Sequence, residues 1–145
     1  MKKILLFLLA LACFISAHAQ SGFSMTVFAG SNAPWGDNQY LEINAKGACH
    51  YVLSEVHMGN KDSSSFSISK AEMKQLSDAL AKAHFPKLQD QRDPDIMDGT
   101  KIFIAVSNGG KTHKVELVNK RLADVDTLLA ALNDILKPYK VHIDY

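Results

Sequence analysis

Two glycine turns, each set between runs of alternating apolar and polar residues, constrain this chain more than any other feature. Residues 101–107 and 111–118 flank Asn108-Gly109, a dipeptide suited to a two-residue β-hairpin turn because both positions tolerate positive φ. Taking Asn108-Gly109 as the turn sets Ser107 opposite Gly110. Ile104 then faces His113 and Ile102 faces Val115, while on the other side Phe103 meets Lys114 and Lys101 meets Glu116. Residues 40–44 and 48–54 flank Ala45-Lys46-Gly47, a three-residue loop whose last position requires positive φ. There Ile43 faces Cys49 and Leu41 faces Tyr51, and on the reverse Glu42 faces His50 and Tyr40 faces Val52. Each hairpin has one apolar side, so a one-residue slip would turn that side to water, and the register is specified.

Each hairpin is followed by a helical pattern. Ser69 with Glu72 forms a capping box, and Ile68 with Met73 forms a hydrophobic staple. Met73, Leu76, Leu80 and Ala83 then recur on one face until Phe85-Pro86. Leu122, Val125, Leu128, Leu129, Leu132, Ile135 and Leu136 trace a second apolar stripe, stopped by Pro138. Residues 23–27 alternate as a further strand, and Val141 with Ile143 predicts a short closing strand. Residues 31–38, 59–65 (GNKDSSS) and 86–100 read as connections. The expected fold is α+β: an antiparallel sheet of about five strands, built on two hairpins, with two helices packed on one face. The other face is then left to solvent or a partner.

Residues 1–19 do not fit that domain. Lys2 and Lys3 precede an apolar run over residues 4–15, and Ala17-His18-Ala19 supplies small residues before Gln20. This is the layout of a secretory signal peptide, and the run is short of the roughly 20 residues that span a bilayer. The expected organisation is a signal peptide over 1–19 and one domain over 20–145, exported to the periplasm or outside the cell. Ala10-Leu11-Ala12-Cys13 offers an alternative, a lipobox in which Cys13 carries a lipid anchor. No later stretch is long enough for a transmembrane segment. Removing Lys2 and Lys3 turns 16 basic and 15 acidic residues into 14 and 15, a balance that excludes nucleic-acid binding by phosphate neutralisation. Cys49 is then the one cysteine left, so no internal disulfide supports the fold.

Tyr40-Leu41-Glu42-Ile43-Asn44 with Gly47, Ile68-Ser69-Lys70-Ala71-Glu72, and Asp98-Gly99-Thr100 ahead of Asn108-Gly109-Gly110-Lys111 together resemble an uncharacterised family of small exported bacterial α+β domains of Bacteroidetes type. The resemblance covers most of residues 23–136. It implies an envelope or extracellular domain, sometimes lipid-anchored, and supplies no catalytic residues.

The chemistry-bearing residues are sparse. Asp90, Asp93, Asp95 and Asp98 share one loop, but Met97 stands where a calcium loop needs its third acid; turn formation is the simpler reading. The histidines lack zinc-ligand spacing, and no metal or cofactor is expected. Cys49 reads as a small buried hydrophobe, and His113 as a core-facing, hydrogen-bonded histidine. Glu42 beside His50 is the one pair that fits general-base chemistry, and no nucleophile is placed near it. The outer sheet face carries Tyr40, Glu42, His50, Val52, Lys101, Phe103, Lys114 and Glu116, aromatics interleaved with charges as recognition surfaces require. Trp35, in a Pro-Trp-Gly loop, joins Tyr40, Glu42, His50, Phe103 and Lys114 as a candidate contact. The expectation is a non-catalytic, exported binding module, inhibitor-like in one form, for an envelope protein, peptide or glycan. The alternatives are a small hydrolase using Glu42 and His50, and a structural component anchored through Cys13.

Overall fold

The computed structural model describes residues 22–31, 36–55, 58–95 and 99–145. The 1–19 leader with Cys13, and Trp35, lie outside them. In chain order the elements are β1 (Ser24–Ser31), β2 (Asp37–Ile43), β3 (Ala48–Glu55), β4 (Gly59–Ser67), α1 (Lys70–Lys82), β5 (Gln91–Arg92), β6 (Thr100–Asn108), β7 (Lys111–Val118) and α2 (Ala123–Leu136). The strands form one sheet in the order β4-β3-β2-β1-β6-β7-β5. β1 joins the two halves, running antiparallel to β2 on one side and to β6 on the other.

The α+β architecture therefore holds, but the sheet has seven strands rather than about five, and it is mixed: β5 pairs parallel with β7. Two strands arise where connections were expected. β4 takes residues read as a polar loop and pairs along β3, with Phe66, Ser64 and Asp62 opposite Cys49, Tyr51 and Leu53. Only Phe66 of these three is apolar, so the strand lacks the alternation that reveals a half-buried strand. β5 is two residues long, too short for any periodicity to show.

The β2–β3 hairpin has the expected register, with Ile43 opposite Cys49, Leu41 opposite Tyr51, Glu42 opposite His50 and Tyr40 opposite Val52. Gly47 takes φ 83° at the loop's last position. The β6–β7 hairpin departs from expectation. Asn108 pairs with Lys111, so Gly109-Gly110 is the turn, with φ of 57° and 78°. A turn with two positive-φ positions is met at lower cost by Gly-Gly than by Asn-Gly. Ile104 consequently faces Val115, Ile102 faces Leu117, Phe103 faces Glu116 and His113 faces Val106. Because the turn moves by one residue in both strands, each side chain keeps its expected face.

α1 begins as read. The Ser69 side chain accepts from the Glu72 N–H, and the Glu72 carboxylate accepts from the Ser69 N–H at 2.6 Å. Leu76 and Leu80 from α1 and Val125, Leu128, Leu132 and Leu136 from α2 enter one core with Val27, Leu41, Ile43, Ile102, Ile104, Val115 and Leu117. Truncating a leucine in such a core costs about 2–5 kcal/mol. The carboxy-terminal residues reach the same core through Val141 and Ile143, which are buried without forming the expected strand. Two side-chain amides take the place of strand pairing. Gln39 donates to the His142 carbonyl at 2.8 Å and accepts from the Asp144 N–H at 2.7 Å; Asn133 accepts from the Ile143 N–H and donates to its carbonyl.

Candidate functional site

Alternation along each strand turns one residue in two away from that core. On β1 the inward Met25, Val27 and Ala29 are buried, and Thr26 and Phe28 point the other way. Cross-strand pairing then lines up two rows over the reverse face. One runs Val52, Tyr40, Phe28, Phe103, Glu116, and the other His50, Glu42, Thr26, Ala105, Lys114. Tyr40, Phe28 and Phe103 therefore stand side by side on the three central strands. Neighbouring strands lie about 4.8 Å apart, so the three aromatic positions form a strip about 10 Å from end to end. All three are half-buried, the Phe28 ring reaching along its own strand over Gly30 and the Tyr40 hydroxyl the other way towards Glu42, while Glu42, His50 and Lys114 in the parallel row are exposed.

Charge frames the strip. The Tyr40 hydroxyl donates to Glu42 at 3.4 Å, and partial burial together with that carboxylate raises the phenol's pKa. Lys101 reaches Glu116 at 2.6 Å, diagonally across β6 and β7 rather than as the directly opposed pair expected. Lys114 stands opposite Ala105, not Phe103, and has no carboxylate within ion-pair distance among the described residues.

Of the residues singled out in the sequence, Tyr40, Glu42, His50, Phe103 and Lys114 share this face, and Trp35 falls outside the described residues. Phe28 completes the strip, one residue beyond the alternation over residues 23–27 that predicts the first strand. The signal was present, since Phe28 follows Thr26 by two and continues the polar-side period.

Glu42 and His50 are register partners, yet their side chains turn apart. His50 Nδ1 lies 3.2 Å from the Ser65 hydroxyl, and Glu42 is engaged by Tyr40. Clefts of about 460, 370 and 350 Å³ among the described residues are lined by other residues. Ser65, the hydroxyl beside His50, is exposed on the open sheet surface and lines none of these clefts, so they give the hydrolase reading no support.

The remaining candidates have structural partners. Cys49 is buried, donates weakly to the Gly47 carbonyl, and has its thiol pKa pushed up to about 11 by burial. His113 is half-buried, donates from Nε2 to the Leu88 carbonyl at 3.0 Å and meets the Phe85 ring edge-on. Asp90 accepts from the Glu116 N–H, and Asp93 accepts from the Asp95 N–H and pairs with Lys120, which together hold its carboxyl below the usual range. Among the described residues no three His, Cys, Asp or Glu side chains converge on one point, and no helix is long and apolar enough to cross a membrane.

No curated protein matches the chain. A family described as a domain of unknown function, DUF6438, matches residues 37–136, from the first residue of β2 to the last of α2, and so takes in four of the five strands of the two-row face and both helices behind it. On that match the chain belongs to the DUF6438 family of domains of unknown function.

Proposed function

We propose that this protein is an exported, non-catalytic recognition domain, whose reverse sheet face grips an envelope protein, peptide or glycan. The observation that carries the reading is the Tyr40–Phe28–Phe103 strip across the three central strands, with Glu42, His50 and Lys114 along one side and Lys101 on the other. Aromatic neighbours across strands contribute only about 0.2–1 kcal/mol per pair to a sheet's own stability. A binding face needs that arrangement: an apolar centre that a partner can dehydrate, and polar neighbours that set orientation. Export rests on the leader's layout, and the lack of an internal disulfide is compatible with it because the core is continuous.

The test is capture of partners from envelope extract. Truncating a central aromatic anchor costs about 2 kcal/mol or more of binding, so Tyr40→Ala/Phe103→Ala should weaken capture about 30-fold or more. Because those rings are half-buried, a second variant, Glu42→Lys/Lys114→Glu, reverses two exposed charges, keeps all three rings while removing the Tyr40–Glu42 hydrogen bond, and should shift the salt dependence of capture. Equal recovery of every partner by wild type and both variants would remove the reading.

A further inference from the structure

One end of the domain carries an unbalanced charge of its own, away from the aromatic strip. Where the chain enters at Gly22, its backbone passes so close to the Ala45 carbonyl that a Cβ at Gly22 would lie 2.3 Å from it. Beside that point is an open cleft of about 460 Å³, whose lining includes Phe23, Met73, Lys46, Lys70 and Lys74. Its floor is apolar and its rim is lysine. Asn108, at the β6–β7 turn, lines the same cleft, and its register partner is Lys111. Tyr139 donates to the Ser67 carbonyl and to Glu72, which brings the flanking Lys137 and Lys140 to this end as well.

Asp134, three residues before Lys137, is exposed, and two other carboxylates here are engaged. Glu72 is bound into the α1 cap and to Tyr139, and Asp78 pairs with Lys74 at 2.7 Å. Lys46, Lys70, Lys111, Lys137 and Lys140 are exposed, with no carboxylate in ion-pair range among the described residues. The opposite end differs. There Lys61 is shared by Asp37 and Glu55, Lys120 pairs with Asp93 and Arg121 with Asp126. A chain with 16 basic and 15 acidic residues thus separates its charge along the strand axis.

We propose that this basic end docks on a bilayer surface containing anionic phospholipids. Phosphate headgroups match the lysine rim, and the apolar floor suits the headgroup–acyl boundary. A free anion would need convergent donors at one point. Lys46, Lys70 and Lys74 instead line an open cleft, and the other lysines extend past it.

The test uses residues 20–145, which hold the whole buried core, in sedimentation with vesicles of phosphatidylcholine alone or with phosphatidylglycerol in equal parts. Each lysine brought to such a surface strengthens binding about fivefold. Binding is expected on the mixed vesicles, weakening with salt, and not on phosphatidylcholine. Lys46→Gln/Lys70→Gln should lower it roughly 25-fold, while Lys82→Gln/Lys87→Gln, two exposed lysines towards the other end of α1, should leave it unchanged. Equal binding to both vesicle types, equal loss in both variants, or competition by millimolar inorganic phosphate at constant ionic strength would each overturn the proposal.

Discussion

Gln39 is the one polar residue buried among the described residues, at 8% exposure, and its amide does the work of a strand. It holds the backbone of His142 and Asp144 and also donates to the Tyr51 hydroxyl. Gln39→Leu keeps the volume but strands a carbonyl and an N–H of the carboxy-terminal tail. Leaving buried groups unpaired costs about 1–3 kcal/mol each, so urea denaturation should show a loss of about 2 kcal/mol or more, and the Asp144 amide should lose most of its hydrogen-exchange protection. An unchanged midpoint with a protected amide would show the tail held by other means. The strand period places Gln39 on the core side with Leu41 and Ile43, so its burial could be read in advance. Its partner could not, because the His142 carbonyl lies 103 residues away and no local pattern encodes that meeting. Cys49 is the opposite case: its inward position follows from the hairpin register alone, and burial beside Ile43 leaves its thiol in the protonated state.

The turns and caps are where local chemistry decides most, and they support two predictions. Gly109 and Gly110 both have positive φ and both would have open space around an added Cβ, so substitution there meets backbone strain and no clash. Asn adopts this region far more readily than a β-branched residue. Gly109→Asn should therefore cost only a few tenths of a kcal/mol, and Gly110→Val about 1–2 kcal/mol, as read by thermal or urea unfolding; equal costs would place the turn elsewhere. The second prediction concerns the start of α1. The Glu72 carboxyl is held below its usual range by the Ser69 N–H first and the Tyr139 hydroxyl last. A depressed carboxyl stabilises the fold above its ordinary value and loses that contribution as pH falls through the folded value. The difference in Tm between wild type and Glu72→Ala should thus be constant above about pH 6 and narrow steadily below about pH 4, whereas Ser69→Ala should cost about 1 kcal/mol at neutral pH. Both features stand out in the sequence because a cap and a turn are short-range. β4 does not, since Gly59–Ser67 becomes a strand only through the ladder β3 offers it, and its inward side gives one apolar residue to signal the fact.

For the molecule as a whole, the two-layer arrangement follows from having two amphipathic helices and a sheet with one apolar side. Both helices share one core with the inward residues of six strands, β1 to β4, β6 and β7. That much was legible, because the periods of 3.6 and 2 each leave their own imprint. Strand number and the parallel β5–β7 pairing were not, because they depend on where the 86–100 segment meets the sheet edge after collapse. The reverse face was legible in outline through Tyr40 and Phe103. It became a strip only when β1 was found between β2 and β6, inserting Phe28 from a strand distant in sequence from β6. Its use for recognition is tested most directly by photo-cross-linking in the native host, with benzoylphenylalanine placed at position 103 or, as a control, at the exposed position 58 between β3 and β4. A discrete adduct from position 103 that is absent from position 58 is the predicted result. Adducts from position 58 with none from position 103 would show that contacts are made elsewhere on the domain.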